Sequence, residues 1–412
     1  MKKTFAWLLA IALMLCAVPM GMAETEQITL TFQRIGNDEP EKNYWLSVIE
    51  AFEAENPDIN IEYDDAAIGS DMDTKLNSLF DAGIGPDIIG HGILSVASRV
   101  EQGQYMPIDE YFETWEGKDD ILEAVLANGT YNGNVYGLGY SVTPYVFAYR
   151  KDLFEAAGLD PAAPPTTWEE LADYARKLTV KDASGEITQA GFAFPSSGGN
   201  MVEFDVFVYG NGGTFMDENG EPVMNSEQQV EAFEFLQSFL GEVNIPYDNN
   251  QNNPFLRGNA AMCLINNAEL SAMLKDPAYE GKIGVALPPN NGVNGTFCGC
   301  NMLFISTDCE QPEAAFRFIA FCLSQESILK RAQDLNVPVV LKSLEDEFVA
   351  LDPDNAARNA CVACGTGMPR AVWSSTFQRL RNEAVQNVLF AGADPTETLD
   401  AAYWELMDEI SR

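Results

Sequence analysis

The chain has 412 residues, with 24 Lys+Arg against 62 Asp+Glu and a formal net charge of −38. A charge of that sign repels phosphate backbones and anionic lipid surfaces, which excludes nucleic acid as a partner. Hydrophobic residues make up 46% of the chain, enough for ordinary cores, and the length allows two domains.

The first element, MKKTFAWLLAIALMLCAVPMGMAETE, sets two lysines before an apolar run and ends in Gly21-Met22-Ala23, a small-x-small site for signal peptidase. The apolar run, residues 5–18, is shorter than the about 20 residues a membrane helix needs. Cleavage after Ala23 is expected. Lipidation at Cys16 is the disfavoured alternative, because Leu15 rather than a small residue precedes it. Residues 1–23 are therefore an export signal that places the protein in the periplasm or at the outer face of the membrane. Their removal takes away Lys2 and Lys3 and no acid, so the net charge moves to −40.

ITLTFQRI reads as a strand, and residues 44–55 follow with Trp45, Val48, Ile49 and Phe52 on one helical face. NPDINIEY returns to strand, DTKLNSLFDAG to helix, and PDIIGHG to strand. This alternation predicts a parallel sheet covered by helices, with ligands at the carboxyl ends of its strands. Asp38, Asp64, Asp65 and His91, the only histidine, are expected just past such ends.

Residues 140–287 repeat the rhythm. PYVFAYR is a strand, and DLFEAA is a short helix that Gly158 ends in a left-handed cap. Pro161, Pro164 and Pro165 stiffen a loop, after which Thr167 and Glu170 have capping-box spacing ahead of Leu171, Ala175 and Leu178. AGFAFP is a strand, MVEFDVFVYG and EQQVEAFEFLQSFL are helices, and MDENGEPVMN between them is a hairpin signal. AAMCLIN, KIGVALP and NMLFIS are further strands. QPEAAFRFIAFCL, RLRNEAVQNVLFAG and TETLDAAYWELMDEI are helices, the first with Pro312 in its opening turn. The chain carries no low-complexity linker and no internal repeat.

Seven cysteines follow the export signal, an odd count that cannot be fully paired within one chain. Cys263 and Cys322 sit in apolar runs as small core residues. CGC at 298–300 and CVAC at 361–364 are compatible with free thiols, with a local Cys361–Cys364 disulfide or with a thiolate metal site; the C-x-C half departs from structural zinc spacing.

Taken in order, YVFAYRKDLFEAAGLDPAAPPTTWEELADYARKL, AFEAENPDINIEY, KLNSLFDAGIGPDIIG, FMDENGEPVMNSEQQVEAFEFL, FLRGNAAMCLIN, KIGVALPP, CEQPEAAFRFIAFCLSQES, NVPVVLKSLED and TETLDAAYWEL carry a resemblance over residues 28–410. The chain resembles the extracellular solute-binding proteins of family 1 that serve ABC importers, the maltose-binding-protein-like group. The resemblance implies an α/β, two-lobed periplasmic-binding-protein clamshell, each lobe a mainly parallel sheet flanked by helices. Its first lobe would take residues 24–143 and 300–335, and its second residues 144–299 and 336–412, with hinge crossings near 140–145, 298–300 and 336–339. It also implies a monomer that needs no cofactor or metal, binds a carbohydrate, in particular an oligosaccharide, between its lobes, and delivers it to membrane permease subunits.

A pyranose packs its apolar face on an aromatic ring and presents a rim of hydroxyls to amides, carboxylates and arginine. The family layout turns Tyr140, Tyr145, Phe204, Trp373 and Phe377 toward the cleft, and Trp373, in the aperiodic loop GMPRAVWSSTF, is the first choice of platform. Polar contacts are expected from Asp38, Glu39, Asp65, His91, Asn200, Asn267, Asn301 and Arg370. Two departures bear on the ligand. Relatives carry a tryptophan after the AAMCLIN strand where this chain has Asn267-Ala268-Glu269-Leu270, and paired glycines where it has CGC. A secreted carbohydrate hydrolase is the rival class, without an HExxH, a GxSxG or a second histidine for a triad. A thiolate-based metal-binding protein is the third.

Overall fold

The computed structural model describes residues 27–36, 38–67, 69–251 and 253–412, without the side chains of 65–70. The export signal and its cleavage site lie outside the described residues.

The chain opens as β1 (Ile28–Ile35), α1 (Glu39–Glu55), β2 (Ile59–Ala67), α2 (Gly69–Asp81), β3 (Ile88–Gly92) and α3 (Ser95–Glu101). β1 lies between β2 and β3 and is parallel to both, with Ile28 opposite Ile59 and Phe32 opposite Ile88. α1 buries Tyr44, Trp45, Val48, Ile49 and Phe52, the face its sequence period marks. Trp45 meets Phe32 of β1 edge-on at 5.1 Å, and each such fully buried ring contributes about 1.5–3 kcal/mol. β2 runs further than its sequence indicates, so Asp64 and Asp65 stand within it, and His91 likewise lies inside β3.

β4 (Gly137–Arg150) is 14 residues long and changes partners along its length. Its first half pairs antiparallel with β7 (Thr296–Ile305), from Gly137 against Phe304 to Pro144 against Cys298. From Tyr145 onward it pairs with β5 (Met262–Asn266) and β6 (Ile283–Ala286), both antiparallel. β7 in turn joins β3, giving one sheet in the order β6-β4-β7-β3-β1-β2, with β8 (Gly365–Thr366) beside the start of β7. The strand pairs beyond Tyr145 are thus antiparallel where a mainly parallel arrangement was expected. Parallel contact there comes from the short β7–β8 pair and from isolated bridges, among them Ala190 to Ala260 and Ala193 to Cys263 from AGFAFP, a segment that does not form a strand.

Local signals hold elsewhere. Gly158 follows the helix Lys151–Ala156 with φ of +74°, a conformation that costs glycine nothing. Thr167 caps α4 (Trp168–Leu178): its hydroxyl accepts the Glu170 amide at 3.2 Å, and Glu170 accepts the Thr167 amide at 3.3 Å. α4 packs with α5 (Glu203–Gly210) and α6 (Glu227–Gln237) around an aromatic core in which Trp168 stacks on Phe235 at 4.6 Å. α7 (Asn267–Leu274), α8 (Pro312–Cys322), α9 (Gln325–Leu335), α10 (Asn355–Ala363), α11 (Ser374–Ala391) and α12 (Pro395–Ile410) complete the long helices. No helix among the described residues is long and apolar enough to cross a membrane.

Candidate functional site

The carboxyl ends of β1 and β3 open onto a cleft of about 800 Å3, a size suited to a small-molecule ligand. Ile35, His91, Ile93, Asp73 and Arg99 of the first α/β segment line the cleft, together with Thr143, Gly299 and Asn301 of β4 and β7 and with Asn200, Met368 and Gln378. Gly299 is required there, since a Cβ at that position would stand 2.5 Å from the Thr143 hydroxyl.

The charged wall is fixed in place. His91 Nδ1 accepts the Gly92 amide at 2.8 Å, which leaves the ring proton on Nε2, 3.3 Å from Asp73 Oδ1. Buried Arg99 pairs with the same carboxylate and donates to Gln104 Oε1 at 2.5 Å and Asn77 Oδ1 at 3.4 Å. His91 first, then Arg99, hold the Asp73 carboxyl down to about 2, so it is an anion throughout the ordinary pH range.

The rest of the lining is amide and hydroxyl. Gln102, Thr143, Asn301, Ser375 and Gln378 open into the cleft with no side-chain partner among the described residues. Such groups both donate and accept, which is what a ring of hydroxyls demands of its site. Phe297 and Met368 supply apolar surface beside them. Asn200 is anchored from behind, its Oδ1 accepting from Arg381, whose other nitrogen pairs with Asp205.

Of the residues marked in the sequence, His91, Asn200 and Asn301 line this cleft. Asp38 instead caps α1, accepting the Glu41 amide at 3.0 Å, and Glu39 is exposed in the first turn. The Asp65 side chain lies outside the described residues. Tyr140 is buried, edge-on to Trp45 at 5.0 Å with the Arg331 guanidinium 5.1 Å from its ring. Strand alternation sends it to the helix-covered face, where it shelters the Arg331–Glu41 ion pair. Phe204 and Phe377 are core residues, stacked on Phe233 at 4.0 Å and packed on Phe215 at 5.0 Å, because they fall on the inner faces of α5 and α11. Tyr145 meets Phe297 edge-on at 5.8 Å without lining the cleft. Asn267 is fully buried and accepts from Arg358 Nε at 2.9 Å, while Arg358 also reaches Asn336 Oδ1 at 2.8 Å. It ties α7 and α10 to the segment after α9. Arg370 and Trp373 line a separate hollow.

Asp73, Arg99, Phe297 and Gln378 were not marked. A signal existed for one of them: Ser375, Gln378 and Asn382 form an i, i+3, i+7 stripe of small polar groups on α11, beside the core stripe of Phe377, Leu380 and Ala384.

A family model for bacterial extracellular solute-binding proteins matches residues 36–328. The chain belongs to that family. A putative binding protein of Brucella abortus (strain 2308) is 26% identical over 373 residues, 87% of this chain and 88% of the other. The fold is also that of the cyclic α-maltosyl-1,6-maltose binding protein from Arthrobacter globiformis, with a TM-score of 0.81 at 20% identity, covering 92% of this chain and 98% of that one. An ABC transporter solute-binding protein from Agrobacterium radiobacter K84, solved with ribitol, gives a TM-score of 0.73 at 26% identity over 93% of this chain and 98% of that one. The architecture is accordingly the two-lobed one of periplasmic solute-binding proteins.

In this solute-binding protein the two cysteine motifs meet. β8, directly after CVAC, pairs with Thr296 and Phe297, and a Cβ at Gly365 would stand 2.3 Å from Cys298 Cβ. Cys298, Cys300, Cys361 and Cys364 are all free thiols. Burial raises each thiol above its ordinary range, Cys300 to about 12, which keeps them protonated. Among the described residues no group of three or more His, Cys, Asp or Glu side chains is arranged to hold a metal ion.

Proposed function

We propose that the protein is the solute-capturing component of an ABC importer and that its ligand is a carbohydrate, held in the cleft between lobes formed by residues 24–143 with 300–335 and 144–299 with 336–412. The observation that carries the reading is the set of unpartnered amides and hydroxyls, Gln102, Thr143, Asn301, Ser375 and Gln378, around the apolar surface of Phe297 and Met368. His91, Asn200 and Asn301 contact the ligand, and the Asp73 carboxylate accepts from its hydroxyls. β4 and β7 supply crossings at which the lobes rotate, and closure is a population shift driven by contacts that exist only in the closed form. No bond is made or broken. The protein works as a monomer and passes its ligand to permease subunits in the membrane. The relatives solved with ribitol and named for a cyclic maltosyl-maltose support a hydroxyl-rich ligand.

Thermal unfolding against a panel of mono- and oligosaccharides and polyols tests this. One sugar class is expected to stabilise the protein by about 2.7 kcal/mol at a hundredfold excess over its dissociation constant, and Asn301→Ala to weaken that ligand about tenfold by removing one hydrogen-bonding group. No shift across the panel, or hydrolysis of an oligosaccharide above background, would sink the reading. For the export step, mass spectrometry of the secreted protein is expected to find Glu24 at the amino terminus; a lipid-modified Cys16 is the contrary outcome.

A further inference from the structure

Arginines inside this molecule are partnered. Arg34 donates to Tyr63 and to the Ile35 carbonyl, Arg99 pairs with Asp73, Arg331 with Glu41, Arg381 with Asp205, and Arg358 binds Asn267, Asn336 and Asn355. Arg370 is the exception among the described residues. It is half-buried, no hydrogen bond or ion pair reaches it, and burial alone lowers its guanidinium from the usual arginine range. A guanidinium withdrawn from bulk water without a counter-charge is costly to keep, and in a chain with 62 acids and 24 bases an acidic neighbour would be easy to provide.

Arg370 opens into a hollow of about 400 Å3 that it shares with Trp373, Asn132, Met216, Asp217 and Glu218. This space and the cleft have no lining residue in common and flank one loop: Met368 and Ser375 face the cleft, Arg370 and Trp373 the hollow. The two carboxylates in its lining do not serve Arg370. Asp217 Oδ1 accepts the amides of Asn219 at 2.8 Å and Glu221 at 2.9 Å and is committed to its own turn, and Glu218 is exposed. Together with the net charge of −38 they oppose a doubly charged guest. One planar guanidinium balances one negative charge and matches the two oxygens of a carboxylate, and the Trp373 indole, 8% exposed and edge-on to Phe377 at 6.0 Å, gives the hollow the apolar surface it has left, the kind of surface on which a pyranose packs.

We propose that the hollow is a second subsite that takes a uronic acid, its carboxylate on Arg370 and its ring against Trp373; the sugar part of this assignment rests on the carbohydrate reading above. Calorimetric titration of the exported protein with glucuronate and galacturonate, with glucose and galactose, and with inorganic phosphate decides it. A uronate is expected to bind the wild type, to lose about 30-fold or more in affinity in Arg370→Gln, and to lose less in Arg370→Lys, which keeps the charge without the fork. Unchanged uronate affinity in Arg370→Gln overturns the proposal. So does phosphate binding to the wild type as tightly as uronate, which would make the hollow a general anion site, and that comparison needs no variant to fold. Binding of neutral sugars without uronates would overturn this subsite and leave the carbohydrate reading standing, whereas failure of every sugar would end both.

Discussion

Arg381→Ala is expected to cost the fold about 3–5 kcal/mol and to weaken ligand binding with it. Arg381 and Asp205 are 2% and 0% exposed, and their ion pair joins α11 to α5 behind the cleft. Truncation leaves the Asp205 carboxylate in the interior with no counter-charge. Burial already pushes that carboxyl up to about 6, so the variant escapes part of the loss by taking up a proton, and its deficit is expected to be smaller at pH 5 than at pH 8. The same substitution removes the donor that holds Asn200 Oδ1 at the cleft wall. Urea unfolding at the two pH values measures the first effect, and a sugar titration the second. A double variant, Asp205→Leu with Arg381→Met, is expected to recover most of the stability, because an apolar pair needs no desolvation of charge, while Asn200 stays unanchored and binding stays weak. A loss below 1 kcal/mol in Arg381→Ala would contradict this account of the pair.

Glu203→Gln is expected to act in the opposite direction. Glu203 is 3% exposed at the start of α5; its Oε1 accepts from Asn249 at 3.0 Å, and its Oε2 is buried with no partner among the described residues. Burial pushes the carboxyl up to about 8, against an ordinary glutamate value of 4.5, with Glu269 adding to the rise and Asn249 and Arg381 opposing it. The folded-state value is raised for an acid, so between those two values the folded protein holds a proton that the unfolded chain has released. The penalty is absent below about 4.5, grows as pH rises, and is complete above about 8. A glutamine of the same shape does not titrate. The variant is therefore expected to match the wild type near pH 4.5 and to exceed its stability by about 2–4 kcal/mol at pH 8. Comparing urea midpoints of the two proteins across that range isolates this group from the other acids. A difference independent of pH would mean that Glu203 is ionised in the fold.

Much of the architecture is legible in the sequence because the interactions that set it are short in range. The Thr167 and Glu170 cap, the left-handed Gly158 and the one-sided face of α1 each depend on residues within a few positions of one another, so spacing alone specifies them. The order of such segments is enough to carry the family resemblance. The same range explains why β2 is longer than its sequence indicates and why AGFAFP does not become a strand: strand extent depends on what lies alongside, and the partner of Ala193 is Cys263, far along the chain.

The cleft was legible only in part. His91, Asn200 and Asn301 were marked and line the cleft, although His91 and Asn301 stand inside β3 and β7 rather than past a strand end, whereas Tyr140, Phe204 and Phe377 have the right chemistry and the wrong face. Tyr140 lies under Arg331, whose partner Glu41 is 290 residues away, and no local pattern records that contact. By itself the sequence determined most of the elements, their order and the net charge, since these rest on composition and near-neighbour hydrogen bonding, and its motifs carried the family resemblance. Only the tertiary structure decided which side chains share a space: Asp73 with His91 and Arg99, Asn301 with Gln378, Cys298 with Gly365, and Arg370 in a hollow with no ion-pair partner among the described residues. The physical reason is register, because shifting a strand by one residue or turning a helix by 100° changes the face a side chain occupies, and that choice is set by segments hundreds of residues apart.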